Sequence, residues 1–195
     1  MQTQTEKRYY TREEYLALEE TAEYKSEYHD GEIVPMTGGT TNHNKIAGNL
    51  FAHLKFALRG RNYELFIADV RLWVPRYRKY FYPDLMIIQA EPVYEGAGTT
   101  TVTNPSLIVE VLSNSTRSYD KGDKFDYYRS IPEFREYILI DQYKFHVEQL
   151  VKTSEGKWLL TYYESADGVL ALDSVDFQIP LSDIYEGINF EIVEE

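Results

Sequence analysis

Leu107-Ile108-Val109-Glu110-Val111-Leu112 decides how this chain is read: five apolar residues and one acid, in a run with the length and branching of a β-strand. Side chains alternate along a strand, so Ile108, Glu110 and Leu112 share one face while Leu107, Val109 and Val111 share the other. Glu110 is therefore bracketed by apolar neighbours on its own face. A carboxylate desolvated there without a partner costs on the order of several kcal/mol or takes up a proton. Either something compensates it, or the strand lies at an edge where Glu110 reaches solvent or pairs with an arginine.

Working outward, a second acid stands at Asp84, between Pro83 and the apolar run Leu85-Met86-Ile87-Ile88. Proline fixes the entry to the strand and withholds a donor, which sets Asp84 at a strand mouth; Pro-Asp is equally a turn dipeptide. Two carboxylates on neighbouring strands, with the Val111 carbonyl beside Glu110, match the oxygen shell of Mg²⁺. Downstream, a helix expected over Asp120–Ile131 offers Lys121 and Lys124, three residues apart on one face that Tyr128 continues. Singly, each lysine reads as a solvated side chain, and Asp120 with Lys124 as a surface pair. Together, Asp84, Glu110 and Lys124 could hold a metal, orient a water and neutralise charge on a phosphodiester in its transition state.

The remaining pattern places these groups on a mixed α/β sheet flanked by helices, with extra antiparallel strands at the C-terminus. Thr11 and Glu14 spell a capping box, and Asp30-Gly31 a tight turn between Lys25–His29 and Glu32–Met36. Apolar residues at helical spacing mark Asn42–Arg59, with Asn44, Lys45, Asn49, His53 and Lys55 on its open face. Strands are expected at Tyr63–Ala68, Val70–Val74 and Tyr137–Asp141. Phe145–Val151, Trp158–Tyr163 and Val169–Leu172 read as an antiparallel meander. With 195 residues and no linker or repeat, a single domain spanning 1–195 is expected, its core over about 10–150 and an acidic β-rich extension over 151–195.

Pro83-Asp84, the strand Ile108–Ser113 followed by Ser115-Thr116, then Asp120, Lys124 and Tyr128, and finally Glu136–Asp141, resemble the Uma-type restriction endonuclease family of the PD-(D/E)XK nuclease superfamily. The stretch Glu27–Ile33, Gly38-Gly39 and Asn42-His43 is similar too. The resemblance implies a restriction-endonuclease-like core, a divalent metal site and Mg²⁺-dependent hydrolysis of DNA, with Mn²⁺ as a substitute. Position by position, Asp84 matches the aspartate of the PD motif and Glu110 the acid of the (D/E)XK motif. The superfamily lysine would fall at 112, where this chain has Leu112. In the Uma-type pattern the lysine stands on the following helix, which puts its role on Lys124, with Lys121 as the substitute. Glu27 and His43 match supporting positions.

The formal net charge of −12 opposes a phosphate-rich partner, yet residues 148–195 alone carry −9, leaving −3 for the rest. A local basic strip of Arg71, Arg76, Arg78 and Lys79 is the expected DNA contact, beside Tyr80, Phe81 and Tyr82, which either stack on bases or fill a core. His43 stands either as a phosphate contact at a helix start or as a plain polar residue there; His29 and His146 have no evident partner, so a histidine metal site is not expected. The absence of cysteine excludes disulfides, thiolate zinc and cysteine nucleophiles. Apolar runs far shorter than a bilayer span, and an opening MQTQTEKRYY with no hydrophobic core, lead us to expect a cytoplasmic protein with no membrane partner. DNA and a homodimeric second copy are the expected partners. The competing reading is a catalytically inactive nuclease scaffold that binds DNA or protein. A weaker third is an interaction domain whose acidic meander and tyrosines form an oligomer interface.

Overall fold

The computed structural model describes residues 8–191. Most of the opening segment read for targeting, and the last four residues of the expected extension, lie outside them.

The strand built on Glu110, β8 (Leu107–Leu112), lies inside a six-stranded sheet. The sheet order is β11 (Trp158–Tyr163), β10 (Val147–Lys152), β9 (Glu136–Asp141), β8, β6 (Leu85–Gln89) and β3 (Tyr63–Ile67). β8 and β9 run parallel, and the other neighbours antiparallel. A parallel neighbour needs a crossover, and the helical segment of residues 117–128 supplies it. The alternation reads out as two cores. Leu107, Val109 and Val111 pack with Ile46, Leu50 and Leu54 of α2 (Thr41–Ala57), while Ile108 and Leu112 pack with Tyr128, Ile131, Phe134 and Tyr137. Glu110 stands on the second face.

The strands do not form one sheet. β1 (Ser26–His29), β2 (Glu32–Pro35), β4 (Arg71–Val74), β5 (Lys79–Phe81) and β7 (Thr101–Val102) make a separate five-stranded sheet in the order β2-β1-β5-β4-β7. Its first hairpin turns at Asp30 and Gly31, with φ of 45° and 108°. α1 (Arg12–Glu19) covers it, opened by the capping box in which Thr11 Oγ1 accepts from Glu14 N at 3.1 Å and Glu14 Oε2 accepts from Thr11 N at 2.8 Å. The chain passes from this sheet to the other between β5 and β6, through Tyr82-Pro83-Asp84.

Three further expectations are corrected. β12 (Val169–Leu172) does not extend the meander: it pairs with β13 (Phe177–Pro180) as a separate two-stranded sheet, and its Leu170 and Leu172 close the core over α2. The open face of α2 is partly covered, because Asn49 Nδ2 donates to the Ile184 and Glu186 carbonyls and Lys45 Nζ to that of Gly187. The helix expected from Asp120 is interrupted. α3 (Arg117–Tyr119) runs into a π-helical turn over Asp120–Lys124 before α4 (Phe125–Tyr128). The chain closes its described part with α5 (Leu181–Ile184), and among the described residues no helix is long and apolar enough to cross a membrane.

Candidate active site

β6 is held on both sides at Asp84: its carbonyl accepts from Ala68 N at 3.1 Å, and its side chain takes the Val111 N–H at 2.7 Å. The β6–β8 register pairs Leu85 with Val109, and continuing it by one residue sets Asp84 opposite Glu110. The two acids therefore stand on the same face of the sheet, the arrangement that directly opposite residues share. One step further, Pro83 falls opposite Val111. Proline has no N–H to offer, so the Val111 carbonyl, which leaves the strand on the same side as its N–H, is not claimed by the ladder there.

Glu110 is buried, and its Oε1 accepts from Lys124 Nζ at 3.0 Å and Tyr128 OH at 2.8 Å. Lys124, also buried, lies 3.1 Å from Asp120 Oδ1 and 3.9 Å from Glu27 Oε1. The Asp120 contact is an ion pair without hydrogen-bond geometry, and Asp120 Oδ1 has no hydrogen-bond partner although it is buried. Glu27 reaches in from β1 of the other sheet, and its Oε2 meets His29 Nε2 at 2.9 Å. On the far side, His43 Nε2 lies 3.2 Å from Asp84 Oδ2. His43 is placed by the start of α2: Thr40 Oγ1 caps its N–H at 3.0 Å, and Gln142, which bonds Thr40 Oγ1, also donates to the Leu112 carbonyl at 3.0 Å. The helix start is thus tied to the end of β8.

The charge balance of this cluster is negative. Burial pushes the Glu110 carboxyl up to about 8; Lys124 pulls against it, while Asp84 and Asp120 push it further. Burial disfavours the Lys124 ammonium, yet Glu110, Glu27 and Asp120 outweigh that and hold it well above the ordinary lysine range. The same ammonium, with His29, keeps Glu27 below the usual carboxylate range against its burial. Burial lowers the His43 pKa, but its bond to Asp84 more than offsets this, leaving it raised. Four carboxylates therefore surround one lysine and two histidines, and a proton or an added cation is the remaining way to balance them.

The residues matched by the family described as "Uma2: Putative restriction endonuclease" run from 12 to 182, taking in every member of this cluster. The chain belongs to the Uma2 family. It is 47% identical over 151 residues to the uncharacterized protein sll1609 of Synechocystis sp., covering 77% of this chain and 85% of that one. To the uncharacterized protein slr1290 of the same organism it is 34% identical over 178 residues, or 91% and 92%. A crystal structure described as a putative nuclease belonging to DUF820, from Anabaena variabilis, superposes with a TM-score of 0.71 at 16% identity, over 89% of this chain and 96% of that one. The fold is restriction-endonuclease-like, and the function of an Uma2 chain is nuclease-like, with nucleic acid as the substrate class.

Other residues singled out in this Uma2 sequence lie elsewhere. Lys121 does not share the site with Lys124: the π turn directs it to Glu148, which it contacts together with His146 Nε2 at 3.0 Å from the same carboxyl oxygen. The basic strip is not continuous. Arg71 is buried and donates to Thr101 Oγ1 at 3.1 Å and Thr100 Oγ1 at 3.0 Å. Arg78 is paired with Asp30 at 2.6 Å, Lys79 lies 4.7 Å over the Tyr127 ring, and Arg76 is exposed beside Tyr77. Tyr80, Phe81 and Tyr82 are buried, so they fill cores and offer no stacking surface. His29 and His146 do have partners, and Asp120 belongs to a buried cluster, not a surface pair. Tyr137, which the sequence places only on a strand, donates its hydroxyl to the Asp120 carbonyl at 3.1 Å and braces the π turn. A strand tyrosine facing the same side as Glu110 was the available signal for it.

Proposed function

We propose that this chain is an endonuclease that hydrolyses DNA phosphodiester bonds with Mg²⁺, or Mn²⁺ in its place, held by Asp84, Glu110 and the Val111 carbonyl. The observation that carries the reading is the buried acid excess around Lys124, with Glu110 pushed up to about 8 and Asp120 Oδ1 left without a hydrogen bond. The donor set suits the ion: one or two carboxylates and a carbonyl leave the remaining positions of a magnesium shell to water and substrate. When bound, the cation polarises the phosphoryl oxygen and lowers the pKa of a water beside it.

The chain's own residues supply the rest. Val111 N–H and His43 fix the orientation of the Asp84 carboxylate from two directions. Lys124 keeps a full positive charge beside Glu110, where it steadies negative charge building up on a phosphate and orients an attacking water. Tyr128 donates to the same Glu110 oxygen, which leaves the second oxygen of that carboxylate to face other ligands. Glu27 acts from behind the lysine, holding the ammonium in place from the opposite sheet. Among the expected DNA contacts, Arg76 and Lys79 have no carboxylate at ion-pair distance among the described residues, and we assign the phosphate contact to them, with Arg71 buried against Thr101 and Arg78 engaged in a surface pair with Asp30.

Incubating the purified chain with supercoiled plasmid and Mg²⁺ or Mn²⁺ should nick or linearise the plasmid, and EDTA should stop it. Cleavage that persists in Asp84→Ala or Lys124→Ala would refute the assignment. One observation favours a second reading, a nuclease scaffold that binds DNA or protein without turnover. Among the described residues no three His, Asp or Glu side chains are already gathered as a cation cage, and Lys124 meets three carboxylates at once. Calorimetric titration separates the two: stoichiometric Mg²⁺ binding lost in Asp84→Ala supports the enzyme, and no metal binding supports the scaffold.

A further inference from the structure

The six-stranded sheet ends at β11, and no described strand pairs with its outer side. β11 runs in unbroken register with β10 over six residues. It carries no charge, proline or bulge, the features that ordinarily protect a sheet edge. Its exposed residues are apolar: Leu159 at 60%, Leu160 at 41% and Tyr162 at 55%. The opposite edge, β3, is interrupted by Glu64, and its Leu65 is buried in the core.

The hairpin fixes which groups are free. Thr153 N donates to Lys157 O at 2.7 Å, so residue 157 faces β10. In an antiparallel ladder, alternate residues bond to alternate sides, so Leu159, Thr161 and Tyr163 also bond to β10. The N–H and C=O groups of Trp158, Leu160 and Tyr162 point to the open side.

We propose that β11 pairs antiparallel with β11 of a second copy of this chain, with Leu160 on the two-fold axis. Only registers that set outward-facing residues opposite one another are allowed. Centring on Leu160 places Leu160 against its copy and Trp158 against Tyr162 twice, using all three free residues of each strand. Leu159 then meets Thr161 of the other copy on the opposite face. Charge selects the direction. The uncharged run is closed by Lys157 at one end and Glu164 at the other, and antiparallel pairing brings each Lys157 end to a Glu164 end, whereas parallel pairing would set like charges together. The arrangement is isologous, so it closes as a dimer instead of growing into a fibre. It does not depend on the nuclease reading.

Sedimentation and light scattering of the full chain test it. The expected species is a dimer of the 22.9 kDa chain. Leu160→Lys sets two ammonium groups together on the axis and should weaken the dimer by ~10-fold or more, with an unchanged circular dichroism spectrum. Since the chain has no cysteine, Leu160→Cys should give an oxidative cross-linked dimer, while Val169→Cys, also exposed but off the strand, should not. A wild type that stays monomeric up to about 100 μM, a dimer indifferent to Leu160→Lys, or equal cross-linking at 160 and 169 would overturn the proposal.

Discussion

Exchanging Glu110 for glutamine removes a buried ionisable group and keeps the side chain's size and its acceptor for Tyr128 and Lys124. The magnitude follows from the structure. Burial raises the carboxyl from an ordinary 4.5 to about 8. A shift of that size corresponds to about 5 kcal/mol at 1.36 kcal/mol per unit, an upper bound reached if Glu110 titrates alone. The sign is set by which state holds the proton more tightly. Here it is the folded one, so the contribution is whole below about 4.5 and is lost as pH rises through about 8. Urea unfolding in EDTA, repeated from about pH 5 to about pH 9, should show the wild type losing up to ~1.4 kcal/mol per pH unit through this group. Glu110→Gln should lack that component and be the more stable protein at the alkaline end. Added Mg²⁺ should recover the wild type there and leave the variant unchanged. Parallel stability profiles in EDTA would refute the claim that Glu110 is a strained acid in the folded chain.

Four other substitutions separate the parts of the structure. Lys124→Met leaves Glu110, Asp120 and Glu27 facing one another, costing about 3 kcal/mol and abolishing cleavage, whereas Lys121→Met leaves Glu148 its bond to His146, costs about 1 kcal/mol or less and keeps activity; thermal melts and plasmid cleavage read both. Glu136→Ala should cost about 3 kcal/mol in urea unfolding and speed amide exchange in β12 and β13, because the wholly buried carboxylate accepts from Gln149 Nε2, Asp173 N, Ser174 N and Ser174 Oγ. Gly31→Ala should lower the melting temperature by an amount equivalent to ~1 kcal/mol or more, since φ is +108° and the added Cβ would come within 2.8 Å of Tyr9 Cδ1.

The parts of the fold that were legible in the sequence are those whose periodicity records a local environment. The alternation through Glu110 marked both faces of β8 correctly because each is lined by a different core, and the spacing from Ile46 to Leu54 marked the buried stripe of α2. Thr11 with Glu14, and Asp30 with Gly31, act within a few residues and were readable for that reason. The division into two sheets was not, because strand partners are chosen by tertiary packing; β1 has the same alternation whether it joins β5 or any other strand. Nor was the fate of the basic residues. Arg71 looks like a surface cation until the hydroxyls of Thr100 and Thr101, some thirty residues away, are brought to it. Asp84 and Glu110 were recognisable because each interrupts or borders an apolar run, whereas Glu27 and Asp120 lie in polar stretches where nothing local marks an acid as buried, so Glu27 stands out only through the resemblance and Asp120 reads as part of a surface pair.

The placement of the lysine has a physical account in the π turn. A strand lysine at position 112 would share the face of Glu110, but that side chain is Leu112, wholly buried in the core cluster that holds Tyr128 and Phe134, and its neighbour across the strands, Asp141, is already paired with Arg117 at 2.7 Å. A regular helix over the same segment would have kept Lys121 and Lys124 close on one face. The wider turn over Asp120–Lys124 separates them. Lys121 goes out to Glu148 at the rim, and Lys124 goes inward to Glu110 with Asp120 on its other side. Tyr137 holds the turn by its bond to the Asp120 carbonyl, and Tyr128, one helical turn beyond Lys124, closes on the same Glu110 oxygen. The extra residue in the turn thus delivers one buried cation to a strand whose own face carries none. A deletion of Gly122, which has open space around it, should restore regular helical spacing and shift Lys124 off Glu110. Cleavage should fall with Lys124→Met as the reference, and retained activity in the deletion would show that the turn is incidental to the site.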